Sequence, residues 1–369
     1  MSKILFIAAS LGYGGAAKML TFVAQELQKR GHNVSIVNIN SVSGCDGSYE
    51  RPVASEICVY KLQSSTKKGL KRFKQIKEIK KIAKEAKADI VIGFTSFPNI
   101  YARLVGKALG IPSIMSERGD PSRTIGKSIK DKISTFIINR SKGGVFQTEG
   151  AKEFYGKGLQ KRGVVITNPI FVKGEVPEKD YENSEKTVVS VGRFDNGQKR
   201  YDVMLKAFKL FHDRHPEYKL KLYGEGPAEK DIKVWIEELG ISDSVELLGL
   251  TKNPMQDMSK EGMFIITSDY EGISNSLLEA MAVGLPCVST DHTPGGARML
   301  IQHGENGLLA PMGNAEKIAE CMCTFAENKD LAKSCGEKAK EVLIKFAPEK
   351  IIDQWEEYIG RIIGKKNER

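Results

Sequence analysis

Residues 263–291, MFIITSDYEGISNSLLEAMAVGLPCVSTD, place two carboxylates, Glu271 and Glu279, on either side of a predicted helix start. The apolar run Met263–Thr267 reads as a buried strand, and Ser268–Gly272 as the loop leaving it. Ser274, Asn275 and Ser276 are N-cap types; Leu277, Leu278, Met281 and Ala282 then recur at helical spacing until Gly284. A second strand follows at 286–289. A helix N-terminus offers N–H groups and the positive end of the dipole, a seat for a phosphate. Backbone amides at Asn275–Leu277 would form that seat, with Glu271, Gly272 and Glu279 around it. Carboxylates suit hydroxyls, because both oxygens accept hydrogen bonds. An anion seat beside two hydroxyl acceptors outlines a nucleotide sugar.

Fixed cations belong in such a site, since a departing pyrophosphate develops charge. Arg193 ends the predicted strand 187–192, and Lys199 precedes the next helix. Their types suit a diphosphate, Arg by its fork and Lys as a point charge. By charge alone, exposed loop cations are the commoner case. No Asp-x-Asp motif and no histidine ligand pair occur, so no metal and no cofactor are expected.

The glutamate pair resembles the glutamate-x7-glutamate signature of retaining glycosyltransferases of family 4. Val191-Gly192-Arg193 with Gln198-Lys199 is similar to the family's "VGR…QK" element. Tyr223-Gly224-Glu225-Gly226-Pro227 resembles its "G-x-G-P" turn, and Gly304–Leu309 its "G-x-N-G-L-L" stretch. Gly14-Gly15 resembles the N-terminal glycine loop, which in such a fold would bind the donor by letting the first domain's backbone approach the diphosphate and acceptor, although it is no GxGxxG fingerprint and a plain glycine turn would read the same way. The resemblance is dense over 187–312 and thinner at 1–20 and 89–121. It implies an α/β GT-B architecture, two Rossmann-like doubly wound domains facing a central cleft. It also implies a metal-independent retaining hexosyltransferase using a nucleotide sugar, with UDP a family-level expectation. Arg193, Lys199 and Glu225 would belong to the donor site, Glu279 would hold the ribose, and Glu271 would face the transferred sugar. Retention could proceed through a covalent intermediate or by front-face attack; the family's usual interpretation favours the second. Many relatives carry a histidine that contacts the donor sugar, but none occurs here between His32 and His212. Arg118 or Asp120, after the strand 112–116, would then meet a sugar or the acceptor, unless they form a structural pair.

Positioning these groups requires two domains, which 369 residues suit. Strand-like runs at 3–9, 34–39, 57–62, 89–94, 112–116, 143–147 and 163–167 alternate with helical stretches near 15–30, 67–87, 98–109 and 126–140. A second set has strands near 187–192, 219–223, 245–248, 263–267 and 286–289, with helices at 201–214, 228–239, 275–283, 315–327 and 330–345. Such alternation predicts parallel sheets with ligands at the carboxyl ends of the strands. The polar stretch 168–186 reads as a linker. The domains are therefore set at 1–168 (acceptor side), 169–348 (donor side) and a helix over 349–369, which in the family crosses back to the first domain.

Composition fits a globular protein, with 41% apolar and 28% charged residues. No apolar run approaches the roughly 20 residues of a membrane span. Six cysteines without metal or disulfide spacing fit a reducing cytosol. Residues 1–180 carry 31 Lys/Arg against 15 Asp/Glu, and residues 181–369 carry 25 against 31. Much of the excess lies in 67–87, KKGLKRFKQIKEIKKIAKEAK, whose Leu70, Phe73, Ile76, Ile79, Ala83 and Ala86 form a predicted apolar stripe. That stripe could pack on a sheet with solvated lysines, or Lys71, Lys74, Lys81 and Lys84 could face anionic lipid. Sparse aromatics weigh against nucleic acid. The expectation is a cytoplasmic enzyme, peripheral on the inner face of the membrane, acting on a lipid-linked or cell-surface glycan precursor. A soluble transferase with a sugar-phosphate or small-molecule acceptor is the alternative; a non-catalytic nucleotide-sugar binder would not need Arg193, Lys199, Glu271 and Glu279 together.

Overall fold

The computed structural model describes residues 1–12, 15–40, 52–62, 71–123, 125, 128–172 and 174–367. The expectations placed on Gly14 and on residues 67–70 lie outside these. The chain forms two compact units, Met1–Asn168 with Glu349–Arg369, and Pro169–Pro348.

The first unit contains β1 (Lys3–Ala8), α1 (Gly15–Lys29), β2 (Asn33–Asn38), β3 (Cys58–Lys61), α2 (Lys71–Glu85), β4 (Ile90–Phe94) and α3 (Ser96–Leu109). It continues through β5 (Ser113–Ser116), α4 (Ile129–Ile138), β6 (Gly143–Phe146), α5 (Glu149–Glu153), α6 (Lys157–Arg162) and β7 (Val164–Val165). Its strands are parallel, in the order β3-β2-β1-β4-β5-β6-β7. β1 and β4 are apolar on both faces because helices cover both; Leu5, Ile7 and Val91 pack with Ile79, Ile82, Tyr101 and Val105.

The second unit contains β8 (Thr187–Val191), α7 (Asn196–Lys199), α8 (Tyr201–His212), β9 (Lys219–Tyr223), α9 (Glu229–Glu238), β10 (Val245–Gly249) and α10 (Pro254–Met258). Then come β11 (Met263–Ile266), α11 (Asn275–Val283), β12 (Cys287–Thr290), α12 (Gly296–Leu300), β13 (Leu308–Ala310), α13 (Ala315–Glu327), α14 (Lys329–Ala339) and α15 (Val342–Lys345). The order β10-β9-β8-β11-β12-β13 is again parallel and doubly wound. The last helix, α16 (Pro348–Asn367), packs in the first unit, where Trp355 stacks on Phe94 with ring centroids 5.7 Å apart.

The sequence reading lacked β13 and the short helices α5, α6, α7, α10 and α12, and it ran 330–345 as one helix where α14 and α15 are separate. Of the stripe predicted on α2, Ile79 and Ala83 are buried and Ile76 packs against the same core, but Phe73 falls outside it. The buried positions are Gln75, Ile79, Ile82 and Ala83, and Phe73 is exposed. Gln75 can be buried because its Oε1 accepts from the Tyr101 hydroxyl at 2.9 Å, a bond no apolar count anticipates. Lys74, Lys81 and Lys84 are exposed, and Lys71 is half-buried.

Candidate active site

At the carboxyl ends of β8, β11 and β12 the second unit joins Lys199 to Glu271. Lys199 Nζ lies 2.6 Å from Glu271 Oε1, and both side chains are largely buried. Several features of the sequence set this contact. A Cβ at Gly192 would stand 3.3 Å from Lys199 Cε and 3.4 Å from the Tyr201 hydroxyl, so glycine leaves room for the lysine tail. The turn after β9 must then approach closely, since a Cβ on Gly224 would lie 1.9 Å from Gly192 O. Gly192 N in turn donates to Tyr223 O at 2.9 Å. Asp195 caps α7 by accepting from Gly197 N at 3.1 Å. Arg200, left-handed at φ 54°, ends that turn and pairs with Asp202 and Asp269, each at 2.9 Å. Thr267 Oγ1 donates to Lys199 O at 2.8 Å, and Gln198 Nε2 to Tyr270 O at 3.1 Å. The lysine and glutamate loops are therefore stitched together along their backbones.

Glu271 is held from the other side as well. Ser268 Oγ donates to its Oε1 at 3.2 Å, and its own N–H donates to Thr293 O at 2.9 Å. A Cβ on Gly296 would lie 1.7 Å from Gly272 O, so α12 can seat against this loop only through glycine. His292, fully buried in the loop between β12 and α12, has an Nε2 with no hydrogen-bond partner among the described residues. Burial pushes its pKa down, against the pull of Glu271, so the ring is neutral near pH 7. Burial, with the Glu271 charge second, raises the Tyr201 phenol; Tyr201 Oη donates to Gly192 O at 3.3 Å. His292, Tyr201 and Arg200 were absent from the sequence reading, because the groups that tie them to this site, Asp269 for Arg200 and Glu271 for Tyr201 and His292, lie in another segment of the chain.

α11 begins beside this pair. Ser274 is its N-cap and accepts from Leu277 N at a long 3.4 Å. Ser274 Oγ and Ser276 Oγ are 3.2 Å apart. Asn275 and Glu279 are half-buried, with Glu279 in the second turn. Arg193 is the outlier of the set: 69% exposed, it pairs with Asp195 rather than with the buried centre. Glu225 is exposed, and its carbonyl accepts from Phe194 N at 2.9 Å.

The first unit has a cavity of about 330 Å³ at the carboxyl ends of β1 and β4, lined by Ser10, Gly12, Gly15, Phe94 and Thr95 among others. Thr95 adopts φ 66°, a strained conformation for a branched residue, at the start of α3. Arg118 lies buried below, donating to Ile166 O at 3.2 Å and Asn168 Oδ1 at 2.8 Å. Burial lowers its pKa to about 9 and raises that of the adjacent Glu117 carboxyl, which accepts from Tyr155 Oη at 2.6 Å. Asp120 Oδ1 accepts from Ser122 N at 2.9 Å. At the far end of α8, His215, Cys323 and Glu327 come within 4.8 Å of one another, a grouping the cysteine spacing gave no sign of. Arg214 already pairs with Glu327 at 2.7 Å.

Comparison with known proteins agrees with the architecture. The family described as "Glycosyl transferases group 1" matches residues 174–342, and "Glycosyltransferase Family 4" matches residues 13–172. An exopolysaccharide phosphotransferase of Streptomyces coelicolor is 35% identical over 171 residues, which is 46% of this chain but only 18% of that protein. The "GalNAc-alpha-(1->4)-GalNAc-alpha-(1->3)-diNAcBac-PP-undecaprenol alpha-1,4-N-acetyl-D-galactosaminyltransferase" of Campylobacter jejuni is 24% identical over 98% of this chain and 99% of its own length. The crystal structure of Anabaena HepE in complex with UDP superposes with a TM-score of 0.82 at 18% identity, covering 97% of this chain and 100% of that one. With matches across both units, the chain belongs to the group 1, family 4-type glycosyltransferases and has the GT-B fold.

Proposed function

We propose that the protein is a retaining transferase that moves a hexose or N-acetylhexosamine from a UDP-sugar to a lipid-linked or cell-surface glycan precursor, at the inner face of the membrane. The observation that carries this reading is the buried Lys199–Glu271 pair at 2.6 Å beside the N-terminus of α11. A lysine ammonium has three donors, so Lys199 can keep Glu271 and still bind a phosphate. Together with the amides of Asn275–Leu277 and the exposed Arg193, it supplies positive potential for the leaving diphosphate. On this reading no metal is required, and activity survives EDTA. Lys199 and Ser268 both engage Oε1 of Glu271, which leaves Oε2 for a sugar hydroxyl. A carboxylate tied to an ammonium is a weakened nucleophile, which favours front-face attack with Glu271 as organiser. Glu279, one turn along α11, takes the ribose hydroxyls. Arg118 is buried and turns its two terminal nitrogens to Ile166 and Asn168, so the acceptor is assigned to the cavity at Gly15 and Thr95.

The acceptor class is supported by the undecaprenol-linked substrate in the name of the Campylobacter relative, and the base by the UDP in HepE. The test is a screen of nucleotide sugars against undecaprenyl-diphosphate glycans and soluble sugar phosphates, with the anomer of the product read by NMR. A product of inverted configuration, or no turnover of any nucleotide sugar, would refute the reading. Turnover confined to soluble acceptors would leave the transferase and remove the lipid.

A further inference from the structure

In the first unit the chain steps from β3 to β4, β4 to β5 and β5 to β6 in one direction along the sheet. Right-handed crossovers therefore set α2, α3 and α4 on a single face, and α3 packs between the other two. The outer surface of that layer is unusual. On α4, Ile129, Ile133 and Phe136 are 77%, 56% and 58% exposed, and their spacing puts them on one stripe. On α2, Phe73 is 71% exposed. Cations rim these side chains. Lys130 and Lys132 on α4, Arg140 just past its end, and Arg72, Lys74 and Lys77 on α2 are exposed. The Arg140 guanidinium lies 3.4 Å over the Phe136 ring. Among the described residues none of these cations forms an ion pair. Arg103 on α3 is half-buried, and burial first and the charge of Arg140 second lower its pKa, which puts the two guanidiniums in one neighbourhood.

Resting on the reading of a membrane-held acceptor, we propose that the outer face of the α2–α3–α4 layer docks on an anionic lipid bilayer. Ile129, Ile133 and Phe136 enter the boundary between headgroups and acyl chains, while Arg72, Arg103 and Arg140 bind lipid phosphates. The chemistry selects this occupant. Apolar side chains rimmed by cations match a surface that is apolar within and anionic at its edge. A second copy meeting it about a two-fold axis would bring its unpaired arginines against their own kind. A bilayer accepts both halves at once, apolar tips below the phosphates and cations at their level. The anchor is therefore α4, whereas the lysines of α2 add long-range attraction only.

The test uses the full-length protein with phosphatidylcholine vesicles, with and without phosphatidylglycerol. Wild type should sediment with the anionic vesicles, less so at high salt. Ile133→Ser combined with Phe136→Ser should weaken partitioning about tenfold or more, whereas UDP binding and thermal melting stay as in wild type. Phe136→Trp should show a blue-shifted emission with these vesicles and quenching by brominated acyl chains. Absence of that shift and quenching while wild type sediments would overturn the role of α4 and leave the membrane reading standing. Sedimentation lost only on replacing Lys71, Lys74, Lys81 and Lys84 with glutamine would also overturn it, making α2 the anchor. No binding of wild type to any vesicle would remove both, and a lipid-free dimer dissolved by Ile133→Ser/Phe136→Ser would assign the face to a second copy.

Discussion

Lys199 and Glu271 lie 72 residues apart in sequence and 2.6 Å apart in space, and each is largely withdrawn from water. Buried partners cannot be removed singly without leaving the other charge uncompensated. Lys199→Ala should therefore weaken UDP binding by roughly 1.5–3 kcal/mol, the scale of a hydrogen bond to a charged group, and also lower thermal stability. Isothermal titration with UDP checks the first part; unchanged affinity would take the diphosphate away from this lysine. Glu271→Gln keeps the shape and the acceptor oxygen, so it should spare UDP affinity and depress turnover instead. His292 adds a pH signature. Its folded-state pKa lies below the ordinary histidine value, so the unfolded chain binds the proton first as pH falls. The stability it contributes is present above about pH 6.5 and is lost as pH drops through the depressed folded value. Measured against His292→Gln, the melting advantage of wild type should shrink between pH 7 and pH 5; a constant difference would mean the ring is not held neutral.

Elements explain why some of this was legible and some not. Glu271, Lys199 and the N-terminus of α11 sit in local patterns, a strand, a loop and a cap, that chain order alone displays. The glycines at 192 and 224 belong to the same patterns, and their cause is steric: the turns after β8 and β9 approach so closely that a Cβ on Gly224 would meet a carbonyl at 1.9 Å. His292 was invisible because a buried histidine has no local signature, and Thr95 because strain depends on what surrounds it. β13, three residues long, is too short for an apolar run to announce it. Phe73 failed for a different reason, since helical periodicity identifies a stripe but not whether a buried glutamine will displace one of its members. Gly296 supports a prediction at this scale. Gly296→Ala must push α12 away from Gly272 O, at a cost of about 1–3 kcal/mol, and it should shift the Glu271 loop with it. UDP affinity and melting temperature should fall together; a variant as stable as wild type with the same affinity would show that α12 does not brace the site.

Across the whole molecule, chain order and packing order differ. α16 follows the second unit in sequence but belongs to the first in space. Tyr358 Oη accepts from Gly144 N at 2.8 Å and donates to Arg162 O at 2.6 Å, bridging β6 and the end of α6. A Cβ on Gly143 would come within 2.4 Å of that oxygen, so this strand is glycine where the helix crosses it. Arg30, at the end of α1, pairs with Glu356 at 2.6 Å and Asp353 at 2.7 Å, but these exposed pairs contribute little beside the fully buried Trp355. Trp355→Ala leaves a void against Phe94 and should cost about 3–5 kcal/mol, confined to the first unit. The second unit has its own sheet and core, so it should keep its melting transition and its affinity for UDP. Scanning calorimetry of the variant, with and without UDP, separates the two. An early transition that UDP does not move, followed by a later one that it raises, is the expected record. A single transition lowered as a whole and still raised by UDP would mean that the units unfold together, and that α16 couples them instead of completing one.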